Sequence, residues 1–406
     1  MPKNKNYGRV LLMEEKIEEL LTRSVATIYP SKEELKKVLL SGKKLKLYQG
    51  FDPTGEKLHL GHMVGLRKHR QWQDLGHEVI FLIGDGTGEA GDPTGKKKTR
   101  EKFFTGEELR ANAKGYLEQA SKIVRFDGSN PIKIMYNGDW LDKLTKSEIL
   151  NIAQHFSVQQ LIERDMFQER LKMGETINLR EFLYPLLQAY DSVHLGVDLE
   201  LGGSDQTFNM LAGRMLARAM KGKEKFVMTT PLLSDAKGVK IGKSEGNVIG
   251  LTDQPSDLFG KIMALGDEAI IPMFTLLTDT PMDEIETFDI NKNPLELKKR
   301  VALIIIEQLH DKKSAEEALA VFESTFSKGE FPKDALLIEV EGSKKLIDVL
   351  TEKEILESKS EVKRLVDAGA ISDYPDKKIT DPNELVGDAE RKIKIGKRIF
   401  VVIKPK

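Results

Sequence analysis

The sequence has no cysteine among its 406 residues, and this absence excludes several kinds of chemistry. A chain without cysteine forms no disulfide, offers no thiolate nucleophile and binds no zinc through sulfur. Apolar runs are short, since none reaches the ~18 residues that a membrane helix requires. The opening residues, MPKNKNYGRV, lack the apolar core of a signal peptide. We therefore expect a cytoplasmic protein with no membrane partner.

An excess of charge of one sign is also absent. The 63 basic and 64 acidic side chains leave a net charge of −1, so any contact with nucleic acid must come from local basic patches. Hydrophobic residues make up 40% of the chain and charged residues 31%, which is typical of a globular protein with a sizeable core. The length predicts two or three domains.

Residues 11–41 have a helical pattern, and the hydrophobic pattern after them predicts a strand, a helix and a second strand. Residues 45–48 alternate as a strand does and then meet Gly50. A helix-compatible segment spans residues 59–75 and ends at Gly76, and residues 79–83 are an apolar run typical of a strand buried on both faces. This βαβ unit indicates a parallel sheet and an α/β, doubly wound, Rossmann-like domain.

Polar residues gather where the first of these strands ends. Tyr48, Gly50 and Asp52 lie in or just after it. Side chains at the carboxyl end of a parallel strand face the crevice where open α/β sheets bind ligands. A core position for Tyr48 is the alternative interpretation.

Two histidines begin the predicted helix in the segment HLGH. His59 and His62 are three residues apart and therefore share one helix face. At a helix N-terminus they would join free N–H groups in a site suited to phosphate, and Gly61 leaves room for a purine near the backbone. A capped helix with two surface histidines is the alternative. A metal site is disfavoured because no third ligand is evident nearby.

The loop after the second strand is rich in glycine and then basic, GDPTGKKKTR. It is not a P-loop, because three rather than four residues separate Gly91 from Gly95, and Lys97 rather than Ser or Thr follows Lys96. One interpretation is a solvated loop. The other is a mobile cationic loop over pyrophosphate, with Asp92 at the sheet edge to receive a cation.

Further polar residues occur between residues 184 and 206. Tyr184, Gln188 and Asp191 fall on one helix face, which indicates either a pocket for a small polar ligand or a polar outer surface. The following GGSDQ predicts a strand-to-helix turn. Gly203 there would let the backbone approach a ribose, and Asp205 would accept hydrogen bonds from its hydroxyls.

Together these motifs resemble a known family. HLGH resembles the HIGH signature of class I aminoacyl-tRNA synthetases, and Lys240–Ser244, KIGKS, resembles their KMSKS loop except at its second and third letters. GFDPT, GDPTGK followed by Arg100, YxxxQxxD and GGSDQ are similar, in order from Tyr48 to Asn247, to the bacterial type of tyrosyl-tRNA synthetase.

The resemblance implies a role for each site residue. The residues implied for tyrosine are Tyr48 and Asp191 at the phenol, Asp92, Tyr184 and Gln188 at the ammonium group, and Gln206 near the carboxylate. Those implied for ATP are Gly50, Asp52, His59, His62, Gly203, Asp205, Lys240 and Ser244. Those implied for catalysis, through the phosphates and pyrophosphate, are His59, His62, Lys96, Arg100, Lys240 and Lys243. No protein-held metal site is expected.

The same resemblance implies the reaction and the partners. The carboxylate of L-tyrosine would attack the α-phosphate of ATP to give tyrosyl-adenylate and pyrophosphate, and the tyrosyl group would then pass to the terminal ribose of tRNA(Tyr). Mg²⁺ would accompany the ATP phosphates, and positioning and charge stabilisation would supply catalysis. A homodimer is expected, with residues 150–180 as a plausible interface.

Three domains are expected. Residues 1–250 would form the catalytic domain, and residues 251–330, mainly helical in pattern, would bind the anticodon. Residues 340–406 resemble the small α+β RNA-binding module of the family. The tail 391–406 has seven basic and no acidic residues interleaved with apolar ones, which favours phosphate contacts; a basic edge strand that prevents aggregation is the alternative.

Two other hypotheses compete with this one. A tryptophanyl-tRNA synthetase shares the fold and both signature loops, but has no reason to carry YxxxQxxD or the basic tail. An RNA-binding protein that has lost catalysis would not need intact HLGH and KIGKS, nor Asp92 and Asp205.

Overall fold

The computed structural model describes residues 3–55, 57–96, 98, 102–234, 248–326, 331, 335–375, 377–396 and 399–406. The chain divides into two compact units. The first holds Met1–Asp253 and Leu265–Leu309, and the second holds Gln254–Ala264 and His310–Lys406. The three-domain division into residues 1–250, 251–330 and 340–406 stays a prediction.

Helices and strands are numbered in chain order. The α-helices of the described residues are α1 (Lys3–Thr22), α2 (Lys32–Leu40), α3 (Leu60–Asp74), α4 (Asp85–Ala90), α5 (Gly106–Ala120), α6 (Gly138–Leu141), α7 (Lys146–Ala153), α8 (Val158–Ile162), α9 (Asp165–Met173), α10 (Leu179–Leu195), α11 (Thr207–Lys221), α12 (Pro255–Met263), α13 (Ile270–Leu277), α14 (Met282–Glu286), α15 (Pro294–Leu309), α16 (Lys312–Phe326), α17 (Leu346–Glu352) and α18 (Lys359–Asp367). The strands are β1 (Thr27–Tyr29), β2 (Lys46–Phe51), β3 (Glu78–Ile83), β4 (Lys133–Tyr136), β5 (Leu199–Gly203), β6 (Phe226–Thr230), β7 (Leu336–Val340), β8 (Lys344–Lys345), β9 (Ile371–Asp373), β10 (Lys377–Lys378), β11 (Leu385–Val386), β12 (Arg391–Ile395) and β13 (Ile399–Pro405). Short 3₁₀ turns lie at Ser204–Gln206 and Asp267–Ala269.

The first unit is built on a six-stranded sheet in the order β1-β6-β5-β2-β3-β4. Strands β2 to β6 pair in parallel, and β1 pairs antiparallel with β6. The strand order reverses between β2 and β5, and at such a switch point the crevice beyond the carboxyl ends of the strands binds ligands. The predicted doubly wound α/β architecture is confirmed.

One local prediction is wrong. Residues 11–41 read as helical, but Thr27–Tyr29 forms β1 between α1 and α2. Ile28 lies opposite Met228 and is buried against the sheet. The pairing partner lies about 200 residues away in sequence, so tertiary contact overrides the local pattern here.

Helix α3 shows how a sequence pattern positions the site. Its apolar residues Leu60, Met63 and Leu66 recur every three residues and are fully buried under the sheet. Gly76 follows its end with φ of +78°, a conformation that favours glycine. The start of this helix therefore lies fixed beside the carboxyl end of β2.

The second unit has its own core. Helices α12 and α16 pack together with the rings of Phe259 and Phe322 5.1 Å apart. A five-stranded sheet in the order β10-β9-β12-β13-β7 is mostly antiparallel, with β13 and β7 parallel. Its apolar faces and α17 and α18 bury residues such as Val362 and Val401. Among the described residues of the whole chain, no helix has the length and apolarity to cross a membrane.

Candidate active site

A pocket of about 480 Å³ opens at the switch point of the first unit. The predicted site residues that line it are Tyr48, Gly50, Asp52, His59, His62, Asp92, Lys96, Tyr184, Gln188, Asp191, Gly203, Asp205 and Gln206. Residues up to 158 apart in sequence therefore meet in one cavity, including Tyr184, Gln188 and Asp191 of YxxxQxxD and Gly203, Asp205 and Gln206 of GGSDQ. Arg100, Lys240, Lys243 and Ser244 lie outside the described residues.

The two histidines are held in one orientation by the start of α3. His59 is the N-cap, and its Nδ1 accepts from the N–H of Gly61 at 3.1 Å. The Nδ1 of His62 accepts from the N–H of His59 at 3.1 Å, and the ring centroids are 4.0 Å apart. A neutral imidazole that accepts at Nδ1 carries its hydrogen on Nε2. Both rings are thus N–H donors at Nε2, which suits them to phosphate oxygens.

Asp191 is held in the pocket by two buried donors. One carboxylate oxygen accepts from Asn137 Nδ2 at 3.0 Å and the other from Trp140 Nε1 at 2.9 Å. Burial raises the pKa of Asp191 well above its usual range, while the two donors oppose that rise. With both oxygens accepting, the group presents acceptor positions to a ligand.

Tyr48 leads into a polar network that the sequence did not reveal. Its hydroxyl is 3.0 Å from the Ser192 hydroxyl, and Ser192 also contacts Glu200 and Lys225. Glu200 and Lys225 form a fully buried ion pair. Burial raises the pKa of the Tyr48 phenol well above its usual range, so the hydroxyl keeps its hydrogen.

A second set of contacts ties β2 to α10 and α4. The Tyr184 hydroxyl donates to Asp52 Oδ2 at 2.9 Å, and Thr87 Oγ1 donates to Asp52 Oδ1 at 2.8 Å. Gly84 is required beside them, because a Cβ there would lie 1.9 Å from Asp52 Oδ1. Asp52, expected on the ATP side, and Tyr184, expected on the tyrosine side, are direct neighbours.

The opposite wall joins Asp92 to the GGSDQ turn. Gln206 Nε2 donates to Asp92 Oδ2 at 2.9 Å, and the N–H of Thr94 donates to Oδ1 at 2.9 Å. At Gly203 a Cβ would lie 2.6 Å from Asp205 Oδ1, so this glycine makes room for the Asp205 carboxylate as well as for a ligand. In this wall a hydrogen bond therefore connects the GGSDQ turn to the GDPTGK loop.

Two arginines from the segment 150–180 hold the GDPTGK loop. Arg164 Nη2 donates to Thr94 Oγ1 at 3.1 Å, and Arg170 Nε donates to the carbonyl of Lys96 at 3.0 Å. Arg170 also makes a two-pronged, buried ion pair with Glu181 at 2.9 Å. The segment that the sequence suggested as an interface therefore also supports the wall of the pocket.

Several residues that line the pocket or support its lining escaped sequence reasoning. Asn137 and Trp140 follow β4, so the carboxyl-end rule could have found them. Ser192, Glu200 and Lys225 gave no comparable signal, because Lys225 lies in KGKEK, which reads as a solvated charge run.

Comparisons with known proteins agree with this geometry. A family model described as tRNA synthetases class I (W and Y) matches residues 40–327. The tyrosine–tRNA ligase of Dehalococcoides mccartyi strain 195 is 42% identical over 95% of this chain and 98% of its own. That of Aquifex aeolicus is 40% identical over 91% of this chain and 93% of its own.

Solved structures share the fold. A C-terminally truncated mitochondrial tyrosyl-tRNA synthetase of Aspergillus nidulans matches with a TM-score of 0.64 and 22% identity, over 80% of this chain and 100% of that one. The tyrosyl-tRNA synthetase of Archaeoglobus fulgidus, complexed with L-tyrosine, matches with a TM-score of 0.60 and 24% identity, over 76% and 99%.

Proposed function

The chain belongs to the tyrosine–tRNA ligases, a family of class I tRNA synthetases, and we propose that its pocket binds L-tyrosine beside ATP and joins them. The observation that carries this proposal is that the buried Tyr48 and Asp191 line the same cavity as His59 and His62. The product would be tyrosyl-adenylate, and the tyrosyl group would then pass to tRNA(Tyr).

The tyrosine end is chosen by hydrogen bonding. Tyr48 and Asp191 are almost fully buried, so a substrate phenol that meets them replaces water with two partners. Phenylalanine would leave the ligand-facing side of both groups without a hydrogen-bond partner, and a site built for a hydroxyl rejects an analogue that lacks it for this reason. Asp92, Tyr184 and Gln188 surround the position proposed for the ammonium group.

The ATP end works by position and charge. The tyrosine carboxylate attacks the α-phosphorus, the bond to the bridging oxygen breaks, and pyrophosphate leaves with that electron pair. His59 and His62 donate from Nε2 to phosphate oxygens, Lys96 adds positive charge, and Asp205 accepts from the ribose hydroxyls. Arg100, Lys240 and Lys243 complete this proposal as cations for pyrophosphate, and Ser244, Gly50 and Asp52 complete the nucleotide site.

We propose that Mg²⁺ enters this pocket with the phosphates of ATP. Among the described residues, no group of three or more histidine or acidic side chains is placed to hold a metal ion. Asp52 and Asp92 already accept hydrogen bonds on both carboxylate oxygens. A Mg²⁺ held by the phosphates and its own water would neutralise phosphate charge.

We propose that residues 251–330 and residues 340–406 bind tRNA(Tyr). Basic residues on β12 and β13, such as Lys392 and Lys404, would contact phosphates and orient the tRNA without reading bases. Within this proposal the catalytic, anticodon-binding and RNA-binding domains span residues 1–250, 251–330 and 340–406. A cytoplasmic location belongs to the same proposal, because tRNA and ATP are found there.

A homodimer is proposed from the surface of α7 to α10. Large apolar side chains there are exposed by half or more: Leu150, Val158, Leu171, Met173 and Leu179. A patch of this kind marks an interaction surface. Sedimentation should give a mass twice that of one chain. The double variant Leu150→Glu and Leu179→Glu should shift the measured mass toward that of a single chain.

Aminoacylation tests the proposed function. The purified protein is incubated with ATP, Mg²⁺, bacterial tRNA and one radiolabelled amino acid at a time. We expect acid-precipitable label from tyrosine alone. Label from tryptophan would instead make it a tryptophan enzyme, and a folded, inactive protein would favour an RNA-binding role.

A further inference from the structure

We propose that Lys225 is a positioning residue for substrate selection, which acts through Ser192 to fix the direction in which the Tyr48 hydroxyl donates. This inference rests on the proposed function, since the group that Tyr48 would recognise is the phenol of L-tyrosine. Lys225 itself does not line the pocket, so it would act only through the residues it contacts.

The ammonium group of Lys225 has an acceptor for each of its three hydrogens. Lys225 is fully buried just before β6, and its Nζ donates to Ser192 Oγ at 2.7 Å, to the Met210 carbonyl at 3.3 Å and to Glu200 Oε2. Lysine has no acceptor, so every bond it makes runs outward. Ser192 therefore receives a hydrogen from Lys225 and must pass its own hydrogen on.

Ser192 has two candidate acceptors for that hydrogen. In the structure Ser192 Oγ donates to Glu200 Oε2 at 3.2 Å, an oxygen that also accepts from Lys225. The Tyr48 oxygen lies closer, at 3.0 Å, and can accept the same hydrogen. The other Glu200 oxygen accepts from Gln188 Nε2 at 3.1 Å, so each carboxylate oxygen has a hydrogen-bond donor other than Ser192. When Ser192 donates to Tyr48, the Tyr48 hydrogen turns toward the pocket.

The last group in this series of hydrogen bonds, Asp191, is an acceptor. Both Asp191 oxygens accept from Asn137 and Trp140, and these donors favour the carboxylate form, which offers lone pairs to a ligand. With tyrosine bound, hydrogens run one way, from Lys225 to Ser192, Tyr48, the substrate phenol and Asp191. Each hydroxyl donates once and accepts once, because a donor-only group and an acceptor-only group close the two ends.

The packing of α11 makes room for this network. A Cβ at Gly213 would lie 2.7 Å from Lys225 Nζ, 2.8 Å from Ser192 Oγ and 3.1 Å from Glu200 Oε2. Only glycine lets the helix approach the buried ion pair so closely. The ion pair also connects the two ends of the substrate, since Glu200 reaches Gln188 directly and Tyr48 through Ser192.

The test measures tyrosine-dependent and phenylalanine-dependent ATP–pyrophosphate exchange in the full-length protein. The variants are Lys225→Met and Ser192→Ala, each made alone and in a Tyr48→Phe background. Ser192→Ala removes the link and keeps the ion pair, so it stays informative if Lys225→Met destabilises the fold. Lys223→Met is the matched control, because Lys223 is partly exposed and pairs with Asp198 away from the pocket.

Both single variants should lower the kcat/KM ratio of tyrosine to phenylalanine by about tenfold, the effect of one buried hydrogen bond, mainly through a higher KM for tyrosine. The KM for ATP and the Lys223→Met ratio should not change. In the Tyr48→Phe background neither Lys225→Met nor Ser192→Ala should lower the ratio further, because the series of hydrogen bonds is already interrupted at Tyr48.

The results that would overturn the inference also distinguish its failure from a failure of the proposed function. An unchanged tyrosine-to-phenylalanine ratio of kcat/KM in Ser192→Ala would show that Lys225 does not act through Tyr48. Full additivity of either change with Tyr48→Phe would show the same. A lower fraction of active molecules, measured by active-site titration, would not alter this conclusion, because the ratio does not depend on it. A wild-type protein with no tyrosine-dependent exchange would remove the proposed function and this inference with it. Normal wild-type exchange with unchanged variant ratios would remove the inference alone.

Discussion

Tyr184 donates its phenolic hydrogen to Asp52 across 2.9 Å, and this bond joins helix α10 to the end of strand β2. The sequence placed these residues on different ligands, Tyr184 with the amino acid and Asp52 with the nucleotide. In the folded chain they meet where the two ligands would adjoin. The two proposed binding sites therefore share a side-chain contact that neither motif predicts alone.

Tyr184→Phe should weaken both sites. The change removes the hydrogen bond on Asp52 Oδ2 and keeps the one that Thr87 donates to Oδ1. A hydrogen bond to a charged group is worth about 1.5–3 kcal/mol, so we expect kcat/KM in ATP–pyrophosphate exchange to fall about tenfold to hundredfold. KM should rise for ATP as well as tyrosine; a rise for tyrosine alone would contradict the shared contact.

His59 should separate a folding role from a catalytic one. His59→Asn keeps an oxygen that can cap the N–H of Gly61, whereas His59→Ala removes the cap and should cost about 1 kcal/mol of unfolding free energy. Both lose the Nε2 donor, and both should lower kcat by about 10²-fold or more, as loss of one transition-state donor does. Urea unfolding and exchange kinetics measure the two effects. Near-normal exchange in His59→Asn would mean that the histidine serves only as a cap.

Breaking the buried ion pair of Arg170 and Glu181 should lower the free energy of unfolding by more than breaking an exposed pair does. Both side chains are buried, and Arg170→Met would leave the Glu181 charge without its partner. We expect a loss of about 3–5 kcal/mol in the free energy of unfolding. Arg70→Met, which breaks a half-exposed pair with Asp74, should cost no more than about 1 kcal/mol and serves as the control. Equal losses in the two variants would contradict this account.

Two buried histidines should make the fold sensitive to mild acid. Burial lowers the pKa of His69 from 6.5 to about 3 and that of His77 to about 4. His77 Nδ1 also accepts from the N–H of Leu45 at 3.0 Å, a bond that protonation would break. Below pH 6.5 the unfolded chain therefore binds more protons than the folded one, and stability falls as the pH drops toward 4.

The expected slope is up to about 1.4 kcal/mol per pH unit for each histidine. Urea unfolding at pH 7, 6 and 5 measures it. His69→Leu should flatten the slope by removing one of the two groups. An identical slope in the variant would show that His69 takes no part in the acid sensitivity.

Sequence reasoning reached the residues that stand at the ends of strands or the start of a helix. Tyr48 and Asp205 were found because polar residues at the end of a strand have a known geometric meaning, and His59 because it begins a predicted helix. Lys225 was not found, because its burial depends on Gly213 and Glu200, which approach it only after the sheet and α11 have packed. A lysine among charged neighbours carries no local signal of that contact.

The strand β1 and the arginines of segment 150–180 were missed for a similar reason. Thr27–Tyr29 becomes a strand only because β6 offers an edge. Arg164 and Arg170 lie in a stretch that reads as an amphipathic surface, and their contacts with the GDPTGK loop join positions about 70 residues apart. Periodicity reports which face is apolar, but not which loop a charged side chain will hold.

The most direct test of the central claim is amino-acid-dependent ATP–pyrophosphate exchange without tRNA, with tyrosine, phenylalanine and tryptophan compared at equal concentration. The account predicts exchange with tyrosine alone, because only its phenol completes the contacts with Tyr48 and Asp191. Exchange with tryptophan, equal exchange with phenylalanine, or none from a folded protein would contradict it.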